Sequence, residues 1–311
     1  MKNCNQNIRH VLRGTTRGAM DAPLDGTPAE EKIVAYYTNA GADYEAWSPG
    51  LNMHFGLWRK GLNPLKLEPM LEAMNQLVLE SLELSEDQEC RVADLGCGIG
   101  ATLRHLASVR PRWSFHGVTL VPWQIQRATE MLPPEMAGRV QFCRADYRDT
   151  GYPDAHFDAV YLLESACHDR GADKAAVLTE AFRILKPGGR LVMVDGFLKK
   201  PTRHPAWFRA CLRQVYAGWA IEGFPEQDAI HTRLKQIGFC EMEIRDLFWR
   251  TAPSGLHVPR VTLGYLWRRL WAGKAPWSAE SRRHVVSCAM APVVGLARPW
   301  FAYSVLKAKK Q

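Results

Sequence analysis

A glycine-rich run led by an acid is the part of this sequence best suited to chemistry. The run DLGCGIG (94–100) follows a short apolar stretch and opens a helical pattern. Glycines at this spacing allow a tight turn and let backbone N–H groups approach a ligand closely. Ala101 stands where a dinucleotide-binding loop has its third glycine, and the leading Asp94 would repel a pyrophosphate but attract an ammonium group. We therefore expect the run to bind the amino acid part of a cofactor.

Those preferences match S-adenosylmethionine, which carries an ammonium, a sulfonium and a ribose but no phosphate. The run resembles the first motif of the class I S-adenosylmethionine-dependent methyltransferase family. The alternative interpretation is a structural turn whose glycines serve packing only. The resemblance implies that the methionine part of the cofactor is held by Asp94, Gly96, Cys97, Gly98 and Gly100.

Further positions resemble the cofactor contacts of that family. Asp146 and Tyr147 follow the third apolar run and resemble the adenine-contacting position, where a carboxylate accepts a hydrogen bond from the exocyclic amine. Most of the family has Asp or Glu at the end of the second strand for the ribose hydroxyls, but this sequence has Thr119 and Leu120. A neutral hydroxyl bonds more weakly than a carboxylate. Gln124 could supply the missing contact.

Three patterns resemble C-methyltransferases of sterols and tocopherols. They are GVTLxxxQxxRA (117–128), an aromatic region that ends in His54 and Phe55, and the Glu-x-x-Cys-His of residues 164–168. The first pattern is also similar to some sugar and amine methyltransferases. Together the three imply a small, largely apolar isoprenoid acceptor.

Methylation of an alkene carbon creates a carbocation, which aromatic faces can stabilise by up to ~2 kcal/mol each. A base must then remove a proton. Glu164 is the first candidate for that base, with His168 as its partner or alternative. For a phenol or amine acceptor the same pair would deprotonate the nucleophile. The competing interpretations are that Glu164 binds cofactor or caps a helix, and that His168 faces solvent.

The aromatic region over residues 30–60 is predicted to form a lid. We expect Tyr36 to enclose the cofactor, and Tyr44 and His54 to contact the acceptor. The competing interpretation is that these rings only pack, since aromatics are common in cores.

Short apolar runs alternate with amphipathic segments, which is typical of βαβ units. Strands are predicted at 91–96, 115–120, 140–146, 157–164, 190–197, 241–248 and 301–307, and helices at 65–84, 102–109, 122–131, 174–185 and 227–237. The turn Pro187-Gly188-Gly189 leads into the fifth strand. We predict an α/β fold with a doubly wound, mostly parallel seven-stranded sheet, the Rossmann-like fold that the resemblance implies.

The domain organisation follows from what surrounds that pattern. Residues 1–27 are expected to be a disordered arm, and residues 28–311 a single domain with the aromatic lid over 30–60 and helical insertions at 199–226 and 251–287. Ligands of open α/β sheets bind beyond the carboxyl ends of the strands, so the lid and the insertions would roof the site.

The composition limits the location of the protein and its cofactors. The eight cysteines are scattered without CxxC pairs, which indicates reduced thiols in a cytoplasmic protein and no metal site. The apolar stretch 285–297 is shorter than the ~20 residues that span a bilayer. Segment 260–277 is amphipathic and basic, so it could contact a membrane surface, with a lid helix as the competing interpretation.

The net charge of +8 could attract nucleic acid or an anionic membrane, and the competing interpretation is a solvated basic surface. However, the segment after the fourth strand lacks the Pro-Pro-Tyr and Pro-Cys elements of nucleic-acid methyltransferases, and no RNA-binding module is visible. Another alternative is a protein of the same fold that no longer transfers methyl groups and serves as an interaction partner. Such a protein would have no physical need for Asp94 and the three closely spaced glycines that follow it. We therefore predict a small-molecule acceptor and no nucleic-acid partner, with O- or N-methylation of another small molecule as the alternative; the sequence does not indicate the oligomeric state.

Overall fold

The computed structural model describes residues 28–200, 204–271 and 279–311. Within these ranges it does not describe the side chains of 28–29, 39–46, 265–266, 268–271 and 279–281. The predicted arm 1–27 and the side chain of Tyr44 therefore lie outside the described part.

Seven strands form one sheet, as predicted from the alternating apolar runs. They are β1 (Arg91–Leu95), β2 (Ser114–Thr119), β3 (Val140–Arg144), β4 (Phe157–Leu163), β5 (Leu185–Leu198), β6 (Phe239–Asp246) and β7 (Phe301–Lys310). The strand order is β3-β2-β1-β4-β5-β7-β6. The pairings from β3 to β5 are parallel, and β7 runs antiparallel to both of its neighbours. The predicted fold class, doubly wound α/β with a mostly parallel sheet, is confirmed.

Ten α-helices surround or cap this sheet in the described part of the chain. They are α1 (Pro28–Trp47), α2 (Leu67–Leu82), α3 (Ala101–Val109), α4 (Pro122–Glu130), α5 (Ala175–Ile184), α6 (Ala206–Gly218), α7 (Gln227–Ile237), α8 (Phe248–Gly255), α9 (His257–Trp271) and α10 (Ala279–Leu296). The insertions predicted at 199–226 and 251–287 supply α6 and most of α8 to α10. Among the described helices, none combines the length and the apolar character needed to cross a bilayer.

The two faces of the sheet bury two separate apolar cores. Successive residues of a strand point to opposite faces. Accordingly, Ala159 and Tyr161 of β4 belong to the core shared with α2, α3 and α6, whereas Val160 and Leu162 belong to the core shared with α5 and α7. Burial on both faces explains why the strands are nearly continuous apolar runs.

The largest difference from a predicted strand boundary is at the start of β5. The fifth strand begins at Leu185, five residues before the predicted start at Arg190. Leu185 pairs with Phe157 and Arg190 pairs with Ala159, so the predicted Pro-Gly-Gly turn interrupts the register within β5 instead of preceding it. Gly188 adopts φ +76° there. The position of the turn was predicted correctly. The pairing of Leu185 with Phe157, which precedes the turn, had no signal in the neighbouring sequence.

Close packing of α6 on α10 gives a stability prediction. A Cβ on Gly218 would lie 1.7 Å from Ser287 Oγ and 2.5 Å from the backbone oxygen of Arg283. Gly218→Ala should therefore lower the free energy of unfolding by about 1–3 kcal/mol. Gly264→Ala is the matched control, because a Cβ at that position would have nothing within 4 Å. In helix α9 it should stabilise by about 0.5–1 kcal/mol. Urea unfolding of both variants checks the opposite signs; equal effects would contradict the packing argument.

Candidate active site

A first cavity lies beyond the carboxyl ends of β1, β2 and β4. The turn after β1, the start of α4 and the segment after β3 form its walls, and α1 covers it. This is the edge of the sheet where doubly wound folds bind ligands. The residues predicted to hold the cofactor that line it are Asp94, Gly96, Cys97, Gly98, Thr119, Leu120, Gln124, Asp146 and Tyr147.

The glycine run shapes this cavity with backbone rather than side chains. Gly98 has φ +52°, and a Cβ there would meet Met53 Sδ at 3.1 Å. Gly100, expected to contact cofactor, does not line the cavity. It precedes α3 with φ +71°, and a Cβ would lie 2.5 Å from the Phe142 ring. Its physical role here is close packing, which differs from the prediction.

A buried carboxyl group stands at the end of β1. Asp94 is 3% exposed, and the loss of water raises its pKa to about 7. The nearby hydroxyl of Tyr161 opposes that shift. Burial also raises the pKa of the neighbouring Cys97 thiol. The cavity therefore holds a carboxyl group whose ionised form a ligand cation would stabilise.

Two buried polar side chains occupy the end of β2. Thr119 Oγ1 donates to Gln124 Oε1 at 2.7 Å and accepts from the N–H of Val121 at 3.2 Å. Gln124 Nε2 lies 3.9 Å from Met53 Sδ, a weak acceptor. The threonine hydroxyl is thus engaged within the protein, and the amide of Gln124 presents N–H donors where most of the resembled family has a carboxylate.

An ion-pair cluster ties α1 to the wall of this cavity. The Arg148 guanidinium lies 2.6 Å from Asp146 Oδ2 and 2.7 Å from Glu30 Oε1. Tyr147 donates from its hydroxyl to the Ser165 carbonyl at 3.1 Å. The Asp146 carboxylate, which was predicted to accept from the adenine amine, therefore also binds Arg148. Neither Arg148 nor Glu30 was predicted from the sequence. The contact of Arg148 with Asp146 two residues earlier has no characteristic pattern, and Glu30 is distant in the chain.

A second cavity of about 470 Å³ lies beside the first. Its walls are mostly apolar and come from the segment after α1, from α6, from α8 to α10 and from β7. Glu164 and Asp195 are the ionisable carboxyl groups in its lining, and no Lys or Arg of the described chain lines it. Its aromatic lining consists of Tyr36, Tyr37, Trp47, Phe55, Trp219, Phe224, Phe248, Trp249, Phe301 and Tyr303.

Tyr36 was expected to enclose the cofactor, but it lines this second cavity and not the first. Its hydroxyl lies 3.4 Å from His284 Nδ1. Along a helix, adjacent residues point about 100° apart, so Tyr37 reaches both cavities while Tyr36 reaches one.

The two cavities meet at a junction formed by Tyr37, Met53, His54, Glu164 and His168, which line both. Three of the four residues predicted to be catalytic, Glu164, His168 and His54, are thus brought together. A group bound in one cavity can meet a group bound in the other at this point.

Glu164 adopts φ +50° directly after β4. Its Oε1 accepts a hydrogen bond from the Phe55 N–H at 2.7 Å and a short one from the Tyr303 hydroxyl. Burial raises its pKa to about 8; the two hydrogen bonds oppose that shift, and Asp195 adds to it. The carboxyl group is therefore poised to gain or lose a proton near neutral pH.

His168 forms a pair with Tyr37 on the other side of the junction. Its Nδ1 lies 3.2 Å from the Ala220 carbonyl, which can only accept, so Nδ1 carries the proton. Nε2 then accepts from the Tyr37 hydroxyl at 2.9 Å. Burial lowers the pKa of His168 to about 4. The imidazole is neutral at physiological pH and faces the cavities rather than bulk solvent.

His54 is engaged within the protein through both ring nitrogens. Nδ1 lies 2.9 Å from the Phe55 carbonyl oxygen, and Nε2 lies 2.9 Å from Asn75 Oδ1. Burial lowers the pKa of His54 to about 4. This arrangement fixes the backbone that donates to Glu164, so positioning suits His54 better than proton transfer.

Two further groups at the site were not predicted from the sequence. Tyr303 reaches Glu164 from β7, 139 residues away in the chain. Asp195, at the end of β5, accepts from the Gly196 N–H at 2.7 Å and the Cys167 N–H at 3.2 Å, and burial raises its pKa to about 7. An acid inside an otherwise apolar strand was a signal for Asp195; Tyr303 had none.

No group of three or more His, Cys, Asp or Glu side chains in the described ranges is arranged to hold a metal ion.

The chain is similar in sequence to known methyltransferases. The family model described as a methyltransferase domain matches residues 92–189. The 2-methyl-6-phytyl-1,4-hydroquinone methyltransferase of Synechocystis is 32% identical over 52% of this chain and 50% of its own length. The chain thus spans half of that relative. The 27-O-demethylrifamycin SV methyltransferase of Amycolatopsis mediterranei is 30% identical over 66% of this chain and 72% of its own length.

Among solved structures, the fold is similar to that of geranyl diphosphate C-methyltransferase from Streptomyces coelicolor. The TM-score is 0.65 at 17% identity, over 93% of this chain and 100% of the other. At this identity the likeness concerns the fold alone. The strand order, the glycine run at the carboxyl end of β1 and the relative aligned over most of its length lead to one conclusion: this chain belongs to the S-adenosylmethionine-dependent methyltransferase family.

Proposed function

We propose that this protein methylates a carbon atom of a small, uncharged isoprenoid lipid. The observation that carries the proposal is the apolar cavity of about 470 Å³ that opens onto the cofactor cavity at Glu164. A methyl donor in the first cavity and an apolar acceptor in the second would meet beside a carboxyl group. The phytyl-hydroquinone relative supports an isoprenoid acceptor.

The residues of the first cavity fit S-adenosylmethionine. Asp94 would accept from its ammonium group, the backbone around Gly98 would approach its methionine part, and Gln124 would donate to its ribose oxygens. Both oxygens of Asp146 already accept hydrogen bonds from Arg148, so the adenine amine would share an acceptor with that residue. When bound, the cofactor supplies a methyl group on a sulfonium. Helix α1 would cover the bound cofactor as a lid, and the ion pair between Arg148 and Glu30 connects it to the wall of the cavity.

The charge of the second cavity favours an uncharged acceptor. Its described lining has two carboxyl groups and no Lys or Arg, so it offers a phosphorylated acceptor no basic partner. Buried charge needs a partner of opposite sign. The similar fold binds geranyl diphosphate together with Mg2+, and at 17% identity the likeness concerns the fold alone, so it does not argue for a diphosphate here.

Aromatic rings of the second cavity, together with Glu164, can stabilise the positive charge that C-methylation creates and then remove the proton. The rings of Phe55, Trp219 and Tyr303 form a connected group, with centroids 6.4 and 6.2 Å from that of Phe55. Each could stabilise a carbocation on the acceptor by up to about 2 kcal/mol when water is excluded. Glu164, in its carboxylate form, then accepts the proton whose loss restores the alkene.

O-methylation of a hydroxyl group is the second candidate, and one observation favours it. The neutral His168 has its lone pair on Nε2 directed at the Tyr37 hydroxyl, which lines both cavities. This pair could take the proton of a phenol at the junction. The rifamycin relative is named for a methyl transfer to oxygen.

One turnover screen tests these proposals. Labelled cofactor is offered with sterols, prenyl alcohols, quinols, phenols, amines and prenyl diphosphates, and each product is analysed by mass spectrometry and NMR. We expect C-methylated isoprenoids and no turnover of diphosphates. O-methylated phenols would favour the second candidate, and label found only in polar products would overturn both.

The raised pKa of Asp94 predicts how cofactor binding depends on pH. The ammonium group needs the carboxylate, whereas below pH 7 the empty cavity holds the carboxylic acid. Affinity should therefore fall as pH decreases through 7, approaching tenfold per unit, with one proton released on binding. Calorimetry between pH 5.5 and 7.5 measures both quantities, with S-adenosylhomocysteine as the ligand because it carries the ammonium group but no sulfonium that would also act on Glu164.

Two variants isolate that effect. Asp94→Asn should bind cofactor more weakly and with no such pH dependence. Glu164→Gln should keep the dependence, because it leaves Asp94 unchanged. A wild-type affinity that is constant over this range would contradict the role of Asp94.

A further inference from the structure

Exposed apolar and basic side chains gather on α8 to α10, around the mouth of the second cavity. We propose that this docking surface binds an anionic phospholipid bilayer. It consists of Trp249, Leu256, Arg260, Leu263, Trp267, Arg282, Arg283 and Leu296. The inference concerns binding to a membrane and stands apart from the reaction itself.

Exposed apolar side chains are concentrated on these three helices. Of the eleven large apolar side chains that are exposed in the described part of the chain, seven lie between Trp249 and Leu296. Trp249 is 75% exposed, Leu256 73% and Trp267 63%. Scattered exposed apolar residues are ordinary, but a cluster marks an interaction site.

The cluster lies at the entrance of the second cavity. Trp249, Leu256 and Leu296 are exposed and also line that cavity, so they form its rim. Helices α8, α9 and α10 contact one another, so the exposed side chains lie on neighbouring helices. An apolar molecule that leaves a bilayer at this rim would enter the cavity without crossing water.

The segment that contains these helices accounts for most of the net positive charge of the chain. Residues 248–296 contain seven Arg or Lys and one acid, Glu280, so they hold a net charge of +6 out of the chain's +8. Arg260, Leu263 and Trp267 are spaced three and four residues apart on α9, which places them along one side of that helix, and Leu256 directly precedes it. Tryptophan and arginine side by side suit the boundary between headgroups and acyl chains.

Together these features favour a bilayer over a nucleic acid. A nucleic acid would use the basic residues, but it gives no reason for exposed leucines at the rim of an apolar cavity. Each basic residue near an anionic membrane contributes about fivefold in affinity, and the attraction is weakened by salt.

The test is co-sedimentation of the full chain with two kinds of vesicle, in the absence of any acceptor. One is pure phosphatidylcholine, and in the other a third of the lipid is phosphatidylglycerol. We expect binding to the anionic vesicles that weakens with salt, and little binding to the neutral ones. Because no turnover is measured, the result does not depend on the proposed reaction.

Matched variants locate the surface. Arg282→Glu with Arg283→Glu should weaken binding by at least about 30-fold, since two attractions are lost. Arg112→Glu with Lys235→Glu changes the net charge equally at exposed sites before β2 and on α7, and should have a much smaller effect. Leu263→Ser with Trp267→Ser should weaken binding at constant charge, whereas Ile244→Ser, on edge strand β6, should not. Circular dichroism confirms folding of each variant.

Three outcomes would overturn the proposal. They are equal binding to neutral and anionic vesicles, equal losses in the test and control pairs, and binding to a random oligonucleotide with none to vesicles. The last would assign the basic surface to nucleic acid.

Discussion

Gly98→Val is expected to abolish measurable cofactor binding, raising the Kd at least about 100-fold, which corresponds to about 2.7 kcal/mol. Gly98 has φ +52°, a conformation that a β-branched residue adopts only with strain of about 1–3 kcal/mol. A Cβ at this position would lie 3.1 Å from Met53 Sδ, so the two methyl groups of valine would enter the space of the methionine part. Calorimetry with S-adenosylhomocysteine measures the loss.

Gly61→Val is the control for backbone strain. Gly61 has φ +95°, a Cβ there would have nothing within 4 Å, and the residue lies outside both cavities. Both variants should lose comparable thermal stability, but Gly61→Val should bind cofactor like the wild type. If Gly98→Val bound within a few fold of the wild type, the loop would not approach the cofactor as we propose.

Local patterns explain why the sheet could be predicted. The central strands β1 and β4 are short apolar runs buried on both faces, and the helices follow a different period, so neighbouring residues carry the signal. The run 94–100 was recognisable for the same reason, because a turn, a close backbone approach and a helix start fall within seven residues. The interrupted start of β5 was not predicted, because pairing with Phe157 depends on another strand.

The junction could be predicted only in part. Glu164 and His168 follow a strand whose carboxyl end had to face the ligand, so their place was foreseeable. Tyr303 was not, because the antiparallel insertion of β7 beside β5 brings it to Glu164. Gly100 and Tyr36 lie outside the first cavity although they were predicted to contact cofactor, because a family pattern gives positions but not which neighbour a Cβ or a ring will meet.

Several predictions concern features that this fold does not test. The disordered arm, the acceptor contact of Tyr44, the cytoplasmic location and the single-domain boundary at residue 28 stay predictions. They depend on side chains, cellular context or segments beyond the described residues. The acceptor itself depends on the shape of the second cavity, which is assembled from α6, α8 to α10 and β7, where the family pattern is weakest.

Glu164→Gln should lower kcat by about 10²- to 10⁴-fold while leaving the Kd of the cofactor within a few fold, since an amide of the same shape cannot accept the proton. Before the cofactor binds, the pKa of Glu164 is about 8. The wild-type kcat/KM for the cofactor should therefore rise as pH increases through this value, because the carboxylate is the active form. A bound sulfonium favours the carboxylate, so the corresponding rise in kcat should occur at lower pH.

Two neighbours should move that pH profile in opposite directions. Tyr303→Phe removes a hydrogen bond that favours the carboxylate, so the pKa of Glu164 and the rise in kcat/KM should shift to higher pH. Asp195→Asn removes a nearby like charge, so the rise should shift to lower pH. If Glu164 had only a structural role, neither substitution would shift the pH dependence of kcat/KM. Full turnover by Glu164→Gln, or profiles that coincide in both variants, would assign proton removal to the Tyr37 and His168 pair instead.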